Sequence, residues 1–314
     1  LISRITGWIF GRDLDSRLLL SRTWGLAWPV VVEQALAMVS QVADTAMVGR
    51  LGKESTTAVG LSMQPFFLVN ALFMGLSTGT TALVARAVGA GDREEAGKIA
   101  GQALVIALVF GLIISTLGYM NADWIIGFMK AEGPVQEIGA GYVRAMMPGL
   151  LLFFVFTIST GALRGAGDTR TPMLINVGLN VIHIFTNYVF IYGNLGAPKM
   201  GAAGAGLSTS ISRILGGMAI LVVLTRPGGK LAVNWKHTVR RFDLVRLKRI
   251  LRMGVPAMLE RVLTSSGQIA YSRQVAGLGT EAYAAHSLSL HCESFSYMPG
   301  MGFATSATAL VGQR

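Results

Sequence analysis

An all-α polytopic bundle of membrane-spanning helices is the fold class this sequence predicts, and three observations predict it. Apolar runs recur from one end of the chain to the other, near or above the roughly 20 residues that cross a bilayer. Only 14% of the 314 residues are charged while 52% are hydrophobic, whereas a soluble domain carries about 25% charged residues. The Lys and Arg residues fall mainly in short joints between the runs. The runs are far longer than the alternating segments of a membrane barrel, and in hydrocarbon the backbone hydrogen bonds must close within each helix.

Eight helical segments follow, at about residues 24–49, 55–85, 97–119, 137–162, 171–193, 202–225, 248–276 and 282–312. The first comes after Arg12, Arg17 and Arg22 without a small-residue cleavage pattern, so no removable signal peptide is expected. The absence of an initiator Met suggests a trimmed start. Pro29, Pro65, Gly75, Pro148 and Pro256 lie inside the segments, where membrane helices tolerate kinks and use small residues for close packing. The joints after the second and fourth segments both carry the string GAGD, at residues 89–92 and 165–168. Neither has the GxxxxGK[ST] pattern or a strand before it, so each reads as a tight turn with a charged anchor, and ATP is not implied.

The charges in the joints also give an orientation. The N-terminal stretch and the joints after the second, fourth and sixth segments hold eighteen Lys and Arg residues, and the opposite joints hold four. By the positive-inside rule the N terminus is expected in the cytoplasm and the number of spans is even. The net charge of +11 therefore records topology, and a nucleic-acid partner is not expected because aromatic-basic interleaving is missing. Cys292 is the single cysteine, which excludes a disulfide scaffold.

A shift of 227 residues lays residues 29–86 over 256–313 without a gap and gives 19 identities in 58 positions. Pro29 meets Pro256, Glu33 meets Glu260 and Gln41 meets Gln268. The paired segments start on the same side, so the repeat is parallel, about an axis along the membrane normal. The expected organisation is an N-terminal six-helix lobe at 1–225, a basic cytoplasmic linker at 226–247, and at 248–314 the first two helices of a second, incomplete lobe.

Ionisable groups in hydrocarbon are costly and mark the places to look for transport chemistry. Glu33 and Asp44 are eleven residues apart, nearly on one helix face, with Ser40 and Gln41 on the same stripe. Asp44 either exchanges a proton or sodium during transport or is locked to neighbouring helices. Glu33 and its repeat Glu260 each follow a proline by four residues, which favours a structural hydrogen bond near the helix end. Asn176, Asn180, His183 and Asn187 form a second stripe, lining a hydrated cavity or bonding helix to helix. His286, His291 and Glu293 make a polar patch in the eighth segment, and Arg261 and Arg273 punctuate the seventh. No spacing defines a metal site. An intramembrane enzyme built on Glu293 with His291 lacks a nucleophile, base and orienter in sequence, so no enzyme and no cofactor is expected. Met63, Phe66, Phe67, Phe154 and Phe156 either hold flat apolar cargo or pack the core.

The strings PVVVEQALAMVSQVADTAMVGRLG from Pro29, GLSTGTTALVARAVGAGD from Gly75, GALRGAGDTRTPMLINVGLN from Gly161 and YVFIYG from Tyr188 resemble bacterial members of the multidrug and toxic compound extrusion family. The resemblance covers nearly the whole chain. It implies twelve helices in two lobes around a V-shaped cavity, a functional monomer when full length, and a place in the bacterial inner membrane in contact with lipid. It further implies export of small amphipathic, cationic compounds in exchange for Na+ or H+. The family's acidic residue in the first helix falls on Asp44, and its polar positions in the fifth on Asn180, His183 and Asn187. Some relatives carry aspartate where this chain has Asn187, which leaves a single-acid scheme on Asp44. Glu260 does not match the acid other members carry in the seventh helix. A flippase for lipid-linked intermediates shares the frame, and would want a more cationic cavity than Glu33 and Asp44 suggest.

Overall fold

The computed structural model describes residues 16–129, 131–226, 229–233, 243–276, 289, 293 and 300–313. Their regular secondary structure is helical throughout: α1 (Ser16–Gly49), α2 (Lys53–Gly89), α3 (Arg93–Met120), α4 (Pro134–Gly165), α5 (Arg170–Tyr192), α6 (Ala202–Thr225) and α7 (Leu244–Ala276). Residues 300–312 form a further helical stretch. A short helix, Ala122–Phe128, sits in the joint after α3, and a 3₁₀ turn, Asn194–Gly196, follows α5. Among the described residues six helices, α1 to α6, are long and apolar enough to cross a membrane. The segment expected at 248–276 is helical, but Arg249, Arg252, Glu260, Arg261 and Gln268 keep it out of that set. The segment expected at 282–312 is described only in part.

The core is built around α4, whose buried residues run along its length and face α2, α3 and α6. Lipid tails are as apolar as the side chains, so helices associate here through small residues and shared hydrogen bonds. At Gly149 an added Cβ would lie 2.5 Å from the Ser210 Cα of α6, so only glycine permits that approach. Ser77 Oγ donates to Thr157 O at 2.9 Å and Thr81 Oγ1 to Gly161 O at 2.9 Å, tying α2 to α4. Phe73 and Phe154 stack with ring centroids 3.5 Å apart, so Phe154 belongs to the core and not to a cargo surface.

The two GAGD strings fold alike. Gly91 and Gly167 both take positive φ, at 78° and 80°, which glycine adopts without a Cβ penalty. Asp92 then accepts from Glu95 N at 2.8 Å, and Asp168 from Thr171 N at 3.1 Å. Each string thus ends one helix and caps the first turn of the next. Around them the basic end of the bundle is closed. Gln313 donates to Gly165 O at 2.8 Å, Gln102 to Asp243 O at 2.9 Å, and Lys230 to Gly167 O at 3.0 Å. Arg246 at the start of α7 holds Glu95 of α3 through both carboxylate oxygens, at 2.9 and 3.1 Å.

Candidate functional site

The two polar stripes read from the sequence are opposite sides of one seam. α1 and α5 run parallel, and three of their side-chain contacts share a separation of 143 residues: Glu33 with Asn176, Ser40 with His183 and Asp44 with Asn187. Spacings of seven and four residues return each helix to the same face, which is why the pairs stay in register. Near the basic end Asn176 Nδ2 donates to Glu33 Oε1 at 2.5 Å, and Arg164 Nη2 to Glu33 Oε2 at 2.5 Å. Both carboxylate oxygens are occupied, and Glu33 is absent from the cavity wall. Arg164, read in sequence only as a joint charge, is its ionic partner.

Further along the seam the partners are an amide and an imidazole. Asn187 Nδ2 donates to Asp44 Oδ1 at 2.5 Å, and His183 Nδ1 stands 3.8 Å from the same oxygen. Ser40 Oγ lies 3.2 Å from His183 Nδ1, and Thr209 Oγ1 of α6 lies 3.3 Å from its Nε2. These bonds fix the imidazole between α1 and α6. Asn187 is fully buried behind Asp44. Asn180 Nδ2 bonds back to Asn176 O at 2.8 Å.

This half of the seam opens into a cavity of about 590 Å³ enclosed by α1, α2, α4, α5 and α6. That volume suits a drug-sized molecule. Ser40, Gln41 and Asp44 line it from α1, and Asn176, Asn180 and His183 from α5. Met63 and Phe67 of α2 and Phe153 and Phe156 of α4 supply an apolar wall, and Thr209, Ser212 and Arg213 line the cavity from α6. Glu260, Arg261 and Glu293 are exposed and take no part in that wall, so the structure does not bring them to Asp44. His286 and His291 lie outside the described residues.

A family model described as MatE matches residues 29–189 and 256–314. The chain belongs to the MatE family. Among MatE relatives it is 33% identical over 294 residues to a probable multidrug resistance protein NorM of Thermotoga maritima, which covers 92% of this chain and 61% of that protein. A probable multidrug resistance protein YoeA of Bacillus subtilis is 29% identical over 289 residues, 91% of this chain and 62% of that protein. The fold matches that of an outward-facing multidrug resistance MATE family transporter with a TM-score of 0.83 at 27% identity, over 93% of this chain and 64% of the other. The chain thus spans under two thirds of the length of these relatives. As a MatE member with several apolar helices it is a multi-pass membrane protein.

Of the cavity residues that sequence reasoning missed, Arg213 is the charged one. It sits inside the apolar run of α6, with its guanidinium carbon 4.4 Å from the Phe66 ring centroid and 4.6 Å from that of Phe153. The signal was available: a lone arginine well within a membrane helix is a functional candidate on cost alone.

Proposed function

We propose that the full-length protein is a secondary active exporter of small amphipathic compounds, organic cations among them, driven by Na+ or H+ entering the cell. Asp44 carries this reading: among the described residues it is the one carboxylate on the wall of a drug-sized cavity, and its hydrogen bond comes from the Asn187 amide. A proton or a hard cation, which takes oxygen ligands, would bind the second carboxylate oxygen of Asp44, with Gln41 and Asn180 on the same wall. Cargo cation and coupling cation then compete for a single negative charge. Only a ligand that binds the two states unequally shifts the balance between them. Met63, Phe67 and Phe156 offer the apolar and cation–π surface for the cargo. The closed basic end supports an outward-open arrangement, with the N terminus in the cytoplasm of a bacterial inner membrane and rigid-body rocking of lobes 1–225 and 248 onward about the 226–247 linker.

The test is export of a cationic dye by the full-length protein in sealed vesicles, with sodium and proton gradients imposed separately. Asp44→Asn is expected to abolish gradient-driven export by an order of magnitude or more. Unchanged, gradient-dependent export by that variant would refute the coupling role.

A further inference from the structure

The cavity holds a second charge that the cation scheme leaves unused. Arg213 lines it from α6, with its guanidinium against the Phe66 and Phe153 rings. Ring faces attract the positive charge but do not replace the oxygen acceptors that the guanidinium N–H donors call for. Among the described residues no carboxylate forms an ion pair with it, and its Nη1 is buried without a hydrogen-bond partner. The neighbouring Ser212 also lines the cavity, is only 8% exposed, and its Oγ likewise has no partner. The carboxylate that shares the cavity, Asp44, is held instead by Asn187 on the α1–α5 seam.

A membrane helix keeps an unpaired guanidinium at a cost that a cavity ligand can offset. The rings of Phe66 and Phe153 hold the group in place, so little freedom is lost when a ligand arrives. A planar oxyanion suits such a fork, since guanidinium donors engage carboxylate in parallel pairs. The aromatic wall of Phe67 and Phe156 would take the body that carries it.

We propose that the Arg213 corner of the cavity, with Ser212, is a binding site for an oxyanion on an aromatic body, and that small aryl carboxylates are therefore a class of ligand, distinct from the cations that compete for Asp44. The proposal rests on the efflux reading only in treating this cavity as the cargo site. It also gives Asp44 a second effect: with that carboxylate neutralised the cavity gains net positive charge, so a cation on Asp44 and an anion on Arg213 assist one another. By linkage that assistance is reciprocal.

The experiment measures binding of 2-naphthoate and its neutral isostere 2-naphthamide to the purified full-length protein in lipid nanodiscs. The expected result is a preference for naphthoate of about tenfold or more, lost in Arg213→Gln and partly kept in Arg213→Lys. Asp44→Asn should tighten naphthoate binding and leave naphthamide unmoved. Equal binding of the two compounds, or a preference that survives Arg213→Gln, overturns the proposal. Should the glutamine variant fail to fold, protection of Arg213 from phenylglyoxal in the unsubstituted protein decides: naphthoate must protect and naphthamide must not. A polyprenyl phosphate added in the nanodisc gives a lipid-borne oxyanion; if it displaces naphthoate at lower occupancy than free naphthoate itself requires, the small-carboxylate assignment fails. Cationic-dye export by the same unsubstituted protein, measured in parallel, tests the efflux reading separately.

Discussion

Glu33 and Asp44 are the same kind of group on the same helix, eleven residues apart and facing the same partner helix, yet the protein treats them in opposite ways. Glu33 is 15% exposed, salt-bridged to Arg164 and bonded through its second oxygen to Asn176. Asp44 is 35% exposed, accepts from a neutral amide and faces the cavity. The difference is a guanidinium bonded directly to the carboxylate: Arg164 holds Glu33, whereas Arg213 shares the cavity with Asp44 without forming an ion pair among the described residues. A carboxylate with a fixed cation has its charge balanced in every state and acts as an anchor. One whose hydrogen bond comes from an amide can still take up a cation, and can draw it from either side of the membrane.

The anchored end should be the more sensitive to loss of a partner. Arg164→Ala leaves Glu33 charged and buried, and is expected to lower stability by about 3 kcal/mol, read as a fall in the detergent unfolding midpoint of the full-length protein. Closely behind comes Gly75→Val, because a Cβ at Gly75 would lie 2.5 Å from the Met258 backbone nitrogen. Overpacking of this kind costs about 1–3 kcal/mol, and it should push α7 from α2, widening a spin-label distance between those helices. Asn187→Leu removes the donor to Asp44 and should cost about 1–2 kcal/mol, with a larger effect on transport than on folding. If it proved as damaging as Arg164→Ala, the contrast between the two ends would collapse. The smallest effect is expected for Arg246→Gln, about 1 kcal/mol or less and weakened further by salt, since that pair lies at the surface of the basic end.

Much of this contrast can be read in the sequence, and particular residues explain where reading stops. The spacings of Asn176, His183 and Asn187 mark a helix face, and the same spacings on α1 mark its mate. Nothing in one dimension sets the 143-residue register that pairs them. Arg164 sits in a joint where positive charge has a sufficient topological explanation, so its bond to Glu33 stays hidden. Phe154 and Phe156 are two residues apart and of one chemical type, yet opposite sides of α4 send one to Phe73 and the other to the cavity. Arg213 belongs to no such stripe: it is an isolated charge beside Ser208, Ser210 and Ser212. At the far end, the repeat relating Glu33 to Glu260 is plain in sequence, while Glu260 itself is exposed and has no place at the cavity.

The central claim is that Asp44, and not Glu33, is the carboxylate that works with the driving ion. Side-by-side vesicle export by full-length Asp44→Asn and Glu33→Gln proteins, each normalised to folded protein, tests it most directly. The account predicts that the Asp44 variant folds with near-normal stability but no longer responds to an imposed sodium or proton gradient. The Glu33 variant should be less stable, while its folded fraction still responds. Loss of gradient dependence in the Glu33 variant, with the Asp44 variant still driven, would contradict it.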